Sequence, residues 1–475
     1  MTGALWTWDD LVRAAGGTAD GTPGVAETGF SIDTRTLEPG EVFVALRDQR
    51  DGHEFVADAF MRGAAAAIVE SGYVRKPGDG ALLRVADPLE GLRGIARAAR
   101  ARSAARIVAV TGSVGKTGTK EALRTCLSLI GPTHAAEKSF NNHWGVPLTL
   151  ARMPQSARFG VFEIGMNHAG EITPLAQLVR PHVAIITTVE PVHLEYFDSV
   201  EAIAEAKAEV FAGLERGGTA ILNRDNAYFE LLKMRAEARG ARVVSFGRHQ
   251  SADVRPDVWS LHADGSDIVA RLGGRRVAYR LGAPGAHIAQ NSLAVVAALD
   301  ALGADVEAAV AALAQMKAAK GRGERFEVRL ADGAILLIDE SYNANPASMR
   351  SALAAMATVP RDRFPRRIAV LGDMLELGPQ SDALHAGLKE AVDAAEVDLV
   401  FACGPHMQRL FAALAPSRRG EWAEASQGLE DALLATVGPG DVVMIKGSLG
   451  SRMAPLVEAL IAKGEEGRLK LAGRE

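Results

Sequence analysis

Apolar residues along this chain fall into two recurrent arrangements, short continuous runs and stripes at helical spacing. Runs at residues 107–110, 161–164, 183–187, 220–222 and 243–246 alternate with helix-like stretches. Short buried strands between helices predict a sheet with a substantial parallel part and helices on its faces. Before this region, residues 1–86 read as a smaller α/β unit, with extended segments at 29–32, 41–46 and 81–85 and an Ala-rich, helix-like stretch at 55–67. After it, strands are predicted at 334–339, 367–371, 398–402 and 441–445, and helices at 348–357 and 381–395. That alternation is the pattern of an open doubly wound sheet, which binds ligands beyond the carboxyl ends of its strands. The Asp87-Pro88 turn, with the basic amphipathic segment 89–102 behind it, and Gly-Arg-Gly at 321–323 mark the joints. The expectation is an α/β protein of three domains, 1–86, 87–320 and 321–475.

Composition narrows this picture. A chain of 475 residues is too long for one ordinary core. With 48% hydrophobic and 23% charged residues it reads as folded and soluble. A net charge of −5 with both signs interspersed gives no field for non-specific nucleic-acid binding. An anionic ligand must therefore be held by a few placed cations and helix N-termini. Cys126 and Cys403 are far apart in apolar settings, which excludes a disulfide framework and a cysteine metal site; both are expected to be buried. Residues 1–10 are aromatic and acidic, unlike a secretory leader, and no apolar stretch has the length of a membrane span. A cytoplasmic monomer is expected.

The strongest local signal is at 107–117, Ile-Val-Ala-Val-Thr-Gly-Ser-Val-Gly-Lys-Thr, with a helix predicted to about residue 130. Gly112, Ser113, Val114 and Gly115 form a turn whose N–H groups converge on phosphate oxygens at the positive end of that helix. Lys116 would neutralise the outer phosphates of ATP, and the Thr117 hydroxyl would bind Mg²⁺. The spacing is short, because Gly112 to Gly115 leaves two intervening residues where the usual phosphate loop has four before Gly-Lys.

Further residues would complete a metal-assisted reaction. Glu163 ends a short apolar strand, where a Mg²⁺ ligand is expected near a phosphate loop, although a solvated strand-end carboxylate reads the same way. His193 follows the run 183–187 and reads either as a ligand or as a packed loop residue. Lys207 falls inside the stripe of Ile203, Val210, Phe211 and Leu214. Its ammonium either snorkels to water or, desolvated, becomes a neutral amine able to add CO₂ and present a carbamate to Mg²⁺. In the third unit, Asp339-Glu340 ends a strand, and Asn345-Pro346 opens a helix.

Together these segments resemble the Mur ligase family along nearly the whole chain. The short loop at 111–117 is similar to that family's phosphate loop, and 141–149, Asn-Asn-His-Trp-Gly-Val-Pro-Leu-Thr, to its Asn-Asn-x-x-Gly-Val-Pro segment. The resemblance places Glu163 and His193 as metal ligands and Lys207 as a carbamylated lysine. It puts His287, Asn291, Arg322 and Asp339 on the ATP side, with Asp339 toward ribose and Asn291 toward adenine. Residues 342–346, 371–378 and 446–448 with Met453 look like the member that adds D-alanyl-D-alanine to a UDP-N-acetylmuramoyl-tripeptide. Residues 32–35, 39–46 and 51–55 resemble the domain that holds the uridine nucleotide. Substrate contacts are thereby implied for Thr34, Arg35, Asn141, Asn142, Asn343, Asn345, Lys446 and Ser448. Departures from the family pattern are Thr34, Asp48, Gly118, Thr188 and Ile288.

The implied chemistry is amide formation through an acyl-phosphate, with ATP and Mg²⁺ as cofactors and hinge closure assembling the site. Two other readings remain open from sequence. One is a ligase of the same superfamily with a different acceptor, including a folate-type polyglutamate ligase. The other is an ATP-binding scaffold without turnover, against which Lys116, Thr117, Glu163, His193 and Lys207 argue.

Overall fold

Three sheets lie in succession along the chain. The computed structural model describes residues 5–24, 28–136, 139–192 and 194–472, with side chains in the last helix through residue 464. Within the described residues the first sheet has five strands, in the spatial order Thr18–Asp20, Ala81–Val85, Ala66–Glu70, Glu41–Val44, Gly29–Ser31. All its pairs are parallel except the first. The second sheet has nine strands. A parallel part, Arg242–Phe246, Thr219–Asn223, Val183–Ile186, Arg106–Thr111, Phe159–Glu163 and Thr133–Ala135, continues into the antiparallel strands Val254–His262, Gly265–Leu272 and Arg275–Leu281. The third runs Glu324–Leu330, Gly333–Glu340, Asp441–Lys446, Arg366–Gly372, Leu399–Cys403, Arg419–Ala423, and only its first pair is antiparallel.

The continuous apolar runs have a simple cause. Successive side chains of a strand point to opposite faces, and here both faces are covered. Val108 and Val110 join the core beneath Leu123 and Leu293, whereas Ile107 and Ala109 join the opposite core with Val146, Ile172 and Ile203. In the third sheet Ile368 and Val370 divide from Ala369 and Leu371 in the same way. Cys126 and Cys403 are free and buried, as their settings implied.

Several elements differ from the sequence expectation. The Ala-rich stretch 55–67 is helical only over Val56–Met61; Gly63, at φ 91°, turns the chain, and Ala66–Glu70 is a central strand bonded on both sides. Pairing and burial there override the helix preference of alanine. The predicted helix 381–395 is broken at Gly387 into Ser381–Ala386 and Lys389–Ala394. Residues 199–214 form the helix Val200–Ala208, capped by Ser199, and then tighten into a 3₁₀ turn, Glu209–Gly213. The antiparallel extension was not anticipated, although Gly273-Gly274 between its last two strands is a two-residue hairpin signal.

Candidate active site

The carboxyl end of Arg106–Thr111 is a switch point, because the chain reaches Phe159–Glu163 on one side of it and Val183–Ile186 on the other. Open sheets bind ligands at such points. The loop leaving this strand passes very close to its neighbour. Gly112 has φ 143°, and a Cβ there would stand 2.0 Å from the Thr187 hydroxyl oxygen, so only glycine fits. The Ser113 N–H donates to the Thr188 carbonyl at 2.8 Å, its hydroxyl donates to the Glu190 carbonyl at 3.1 Å, and Thr187 donates to the Val114 carbonyl at 2.6 Å. The helix Lys116–Ile130 then starts at Gly115 with no side-chain cap. Its first amides, at the positive end of the helix dipole, are left for an anion.

The Lys116 ammonium donates to the Gly112 carbonyl at 2.8 Å. Burial lowers its pKa, Glu163 opposes that shift and Arg322 adds to it. Thr117 is buried, with its hydroxyl 3.4 Å from that of Ser139. Glu163 is buried and not solvated, at 2% exposure. Asn141 donates to its Oε1 at 2.8 Å, while Oε2 is buried with no hydrogen-bond partner among the described residues. An orphaned carboxylate oxygen beside a buried cation and a threonine hydroxyl fits a hard divalent cation. Among the described residues no three His, Cys, Asp or Glu side chains gather round one point. Such an ion would therefore keep much of its shell as water and phosphate oxygen, as Mg²⁺ does. Lys207 is 2% exposed, and its pKa is held well below the usual lysine range by burial first and then by Lys116. His193 lies outside the described residues.

A cavity of 570 Å³ opens from the phosphate loop to the strand ends of the third sheet. On the far wall, buried Lys446 donates to Glu340 at 3.1 Å and to the Asn343 carbonyl at 2.9 Å. The Arg322 guanidinium lies 4.3 Å from the centre of the Tyr342 ring. The His287 pKa is lowered by burial, with Glu340 opposing and Lys446 adding to the shift. Asn291 stands against the phosphate loop, since a Cβ at Gly115 would come within 2.2 Å of its Nδ2. One cavity thus holds an anion cradle, a carboxylate suited to a cation, and cations contributed by a different domain. That combination can bring a polyphosphate and a second reactant together.

Two parts of the chain match known domains, residues 110–299 the Mur ligase middle domain and residues 324–449 the Mur ligase glutamate ligase domain. A UDP-N-acetylmuramoyl-tripeptide–D-alanyl-D-alanine ligase of Escherichia coli (strain K12) is 35% identical over 440 residues, covering 91% of this chain and 94% of that protein. The chain belongs to the Mur ligase family. A protein of the same name from Rickettsia prowazekii (strain Madrid E) is 31% identical and covers 90% of this chain and 94% of its own length. The crystal structure of MurF from Acinetobacter baumannii superposes with a TM-score of 0.83 at 30% identity, over 96% of this chain and 99% of that one. The MurF ligase of Thermotoga maritima in complex with ADP superposes with a TM-score of 0.77 at 25% identity, over 93% and 98% of the two chains.

In this Mur ligase, the residues singled out from sequence are distributed unevenly. Ser113, Val114, Gly115, Lys116, Thr117, Asn141, Glu163, His287, Asn291, Arg322, Asn343, Asn345 and Lys446 line the one cavity. Lys207 is buried and not part of that lining, within electrostatic reach of Lys116. Asn142 holds the turn before the helix Gly145–Ala151, its side-chain oxygen accepting the Trp144 and Gly145 N–H groups. Asn345 caps Pro346–Ala357 in a reciprocal pair with Ser348. Asp339 is buried, and its two carboxylate oxygens accept the Gly321 and Ser341 N–H groups, which ties the interdomain segment to the third sheet. Ser448 accepts the Leu375 N–H at 2.9 Å. Thr34 and Arg35 belong to the first domain, where Thr34 is buried against Asp58 and exposed Arg35 pairs with Asp33 at 2.6 Å. Sequence reasoning missed Glu190, a cavity carboxylate whose pKa is raised by burial, with the Thr188 hydroxyl and Arg350 opposing. Its place just past the strand Val183–Ile186 was the available signal. It also missed Trp259 and Arg248, which lie on the cavity wall 5.4 Å apart; nothing in the local sequence marks them.

Proposed function

We propose that this Mur ligase joins D-alanyl-D-alanine to a UDP-N-acetylmuramoyl-tripeptide with hydrolysis of ATP to ADP and phosphate. The observation that carries the reading is the single cavity in which the phosphate loop and Glu163 face Lys446 and Asn343 of the third domain. The names of the relatives at 31% and 35% identity support the choice of member.

A carboxylate is a poor electrophile, so it must be activated before an amine can attack. An oxygen of the tripeptide's terminal carboxylate attacks the γ-phosphorus, the bond to the β-phosphate oxygen breaks, and ADP leaves. The amine nitrogen of the dipeptide then attacks the acyl carbon, the bond to the phosphate oxygen breaks, and the amine gives up a proton. Lys116 and the amides at the start of its helix stabilise charge on the transferring phosphoryl group. Mg²⁺, when bound, offsets charge on the phosphates and the attacking oxygen. Thr117 and Glu163 would hold one ion, with Asn141 orienting Glu163. His193 and Lys207, the latter as a carbamate, would hold a second. His287, Asn291, Arg322 and Asp339 are read as the ATP side. Thr34, Arg35, Asn141 and Asn142 are read as contacts to the nucleotide-linked peptide. Asn343, Asn345, Lys446 and Ser448 are assigned to the dipeptide, whose carboxylate Lys446 can meet. The scheme assigns every role to residues of one chain, and the reading takes the enzyme as a monomer. No helix among the described residues is long and apolar enough to cross a membrane, and the reading places the enzyme in the cytoplasm.

The test is mass analysis of products from UDP-muramoyl-tripeptides, ATP and a panel of amines. D-alanyl-D-alanine should be joined fastest. Faster joining of free diaminopimelate, lysine or glutamate would overturn the choice of acceptor, and phosphate release independent of the amine would overturn the ligase reading.

A further inference from the structure

His385, in the helix Ser381–Ala386, is fully buried. Its Nδ1 lies 2.6 Å from the Ser381 carbonyl oxygen, and its Nε2 lies 2.9 Å from the Met374 backbone nitrogen. A carbonyl only accepts and a backbone N–H only donates, so the ring is the neutral tautomer with its proton on Nδ1. Met374 belongs to the loop that leaves strand Arg366–Gly372, and its neighbours are tied to the next loop of the same sheet edge. The Asp373 carbonyl accepts the Ser448 N–H at 3.1 Å and the Ser451 hydroxyl at 2.9 Å. The Leu375 N–H donates to the Ser448 hydroxyl, which itself donates to the Ala344 carbonyl at 3.4 Å. The same loop touches the central domain, where the Glu376 carbonyl accepts the Glu195 N–H at 3.3 Å.

We propose that His385 is a positioning residue for the acceptor: by accepting the Met374 N–H it fixes the loop 373–376 against Ser448, and protonation of the ring releases that loop. This rests on the assignment of Lys446, Ser448 and the 342–346 turn to the dipeptide. A protonated ring would turn an N–H toward the Met374 N–H, setting two donors face to face. The charged groups around the ring are few. One Asp373 carboxylate oxygen lies 3.8 Å from Nε2 and accepts the Met407 N–H, and the other accepts the His406 N–H. The His406 ring stacks at 5.5 Å, and Asp382, on the histidine's own helix, bonds His406 and Arg409. Burial holds the His385 pKa below the usual histidine value, and His406 adds to this; the Ser381 carbonyl, Asp373 and Asp382 oppose it. A depressed folded-state pKa means that the ordered loop persists above that pKa and is lost as pH falls through it.

The experiment uses the full chain, with D-alanyl-D-alanine varied at saturating ATP and UDP-tripeptide over roughly pH 5 to 8. His385→Gln keeps an acceptor for the Met374 N–H and does not titrate. His385→Leu leaves that N–H unpaired. Toward the acid end the acceptor KM of the parent should rise more steeply than that of His385→Gln. Both enzymes share the titration of the substrate amine, so their ratio isolates the ring. At the alkaline end His385→Leu should raise the acceptor KM roughly tenfold, the effect of one orphaned buried donor, with the KM for ATP little changed. A ratio that stays flat with pH overturns the proposal, as does a His385→Leu variant that shifts both KM values alike. Should His385→Leu not fold, the comparison with His385→Gln decides alone. A parent enzyme that prefers another amine overturns the acceptor assignment, and the ratio measured with that amine still decides the role of His385.

Discussion

Lys207→Met should move stability and activity in opposite directions. The lysine stem runs through a core that includes Ile203, Val210 and Phe211, and the residue is 2% exposed. Methionine has a similar length and fills such a space without a charge. In the unfolded chain Lys207 has an ordinary pKa of roughly 10.4, whereas in the folded protein burial and Lys116 hold it well below. Between those two values the unfolded chain binds more protons, so this residue makes stability rise with pH by up to about 1.4 kcal/mol per unit. At pH near 7 the folded state therefore carries a penalty that methionine lacks. For metal-free protein depleted of CO₂, the substitution should stabilise by about 1–3 kcal/mol, the range for an unpaired buried polar group. The advantage should shrink as pH climbs toward roughly 10, where both states of the parent are neutral. Turnover should fall by about 100-fold or more, as when one preorganised group at the transferring phosphoryl is removed. Urea titrations at several pH values, with the denaturant slope unchanged, report the first effect. Phosphate release in the presence of both substrates, after CO₂ removal and again after bicarbonate is restored, reports the second. Full turnover of Lys207→Met, or destabilisation across the whole pH range, would refute the reasoning and return the lysine to a packing role.

Three further outcomes follow from the same geometry. Lys116→Ala should abolish ligation yet unfold as cooperatively as the parent; near-normal turnover at saturating ATP would show the phosphate loop to be misread. Glu163→Gln removes charge from the carboxylate whose Oε2 has no partner among the described residues, so the Mg²⁺ concentration for half-maximal rate should rise about tenfold or more, and an unchanged requirement would count against a metal there. Gly112→Ala forces a Cβ to within 2.0 Å of the Thr187 hydroxyl oxygen at φ 143°. A strain of about 1–3 kcal/mol should appear as a lower melting temperature with weakened ATP binding by calorimetry; parent-like values in both would refute the close approach.

Local signals carried much of this protein. The strand–turn–helix at 107–130 was legible because a phosphate loop needs its glycines, lysine and threonine adjacent in sequence, where backbone geometry alone sets their relation. The buried parallel strands were legible because two covered faces leave no polar alternation. What sequence left undecided were quantities set by neighbours distant along the chain. Glu163 also allows a solvated strand end from sequence, and only the packing of Asn141 and Lys116 around it shows a buried carboxylate with an oxygen unpartnered among the described residues. Lys207 was ambiguous between snorkelling and burial, because a helical stripe fixes direction but not depth. The alanines of Ala66–Glu70 favoured a helix until strands on both sides claimed their backbone groups. Resemblance puts Asp339 on the ATP side, and only the fold shows that its oxygens also accept the Ser341 N–H and, across 18 residues of sequence at the interdomain joint, the Gly321 N–H. Sequence determines what a segment offers through its own backbone and periodicity. Desolvation, pairing and the meeting of two domains' strand ends depend on which distant surfaces cover it, and the tertiary structure alone decides them.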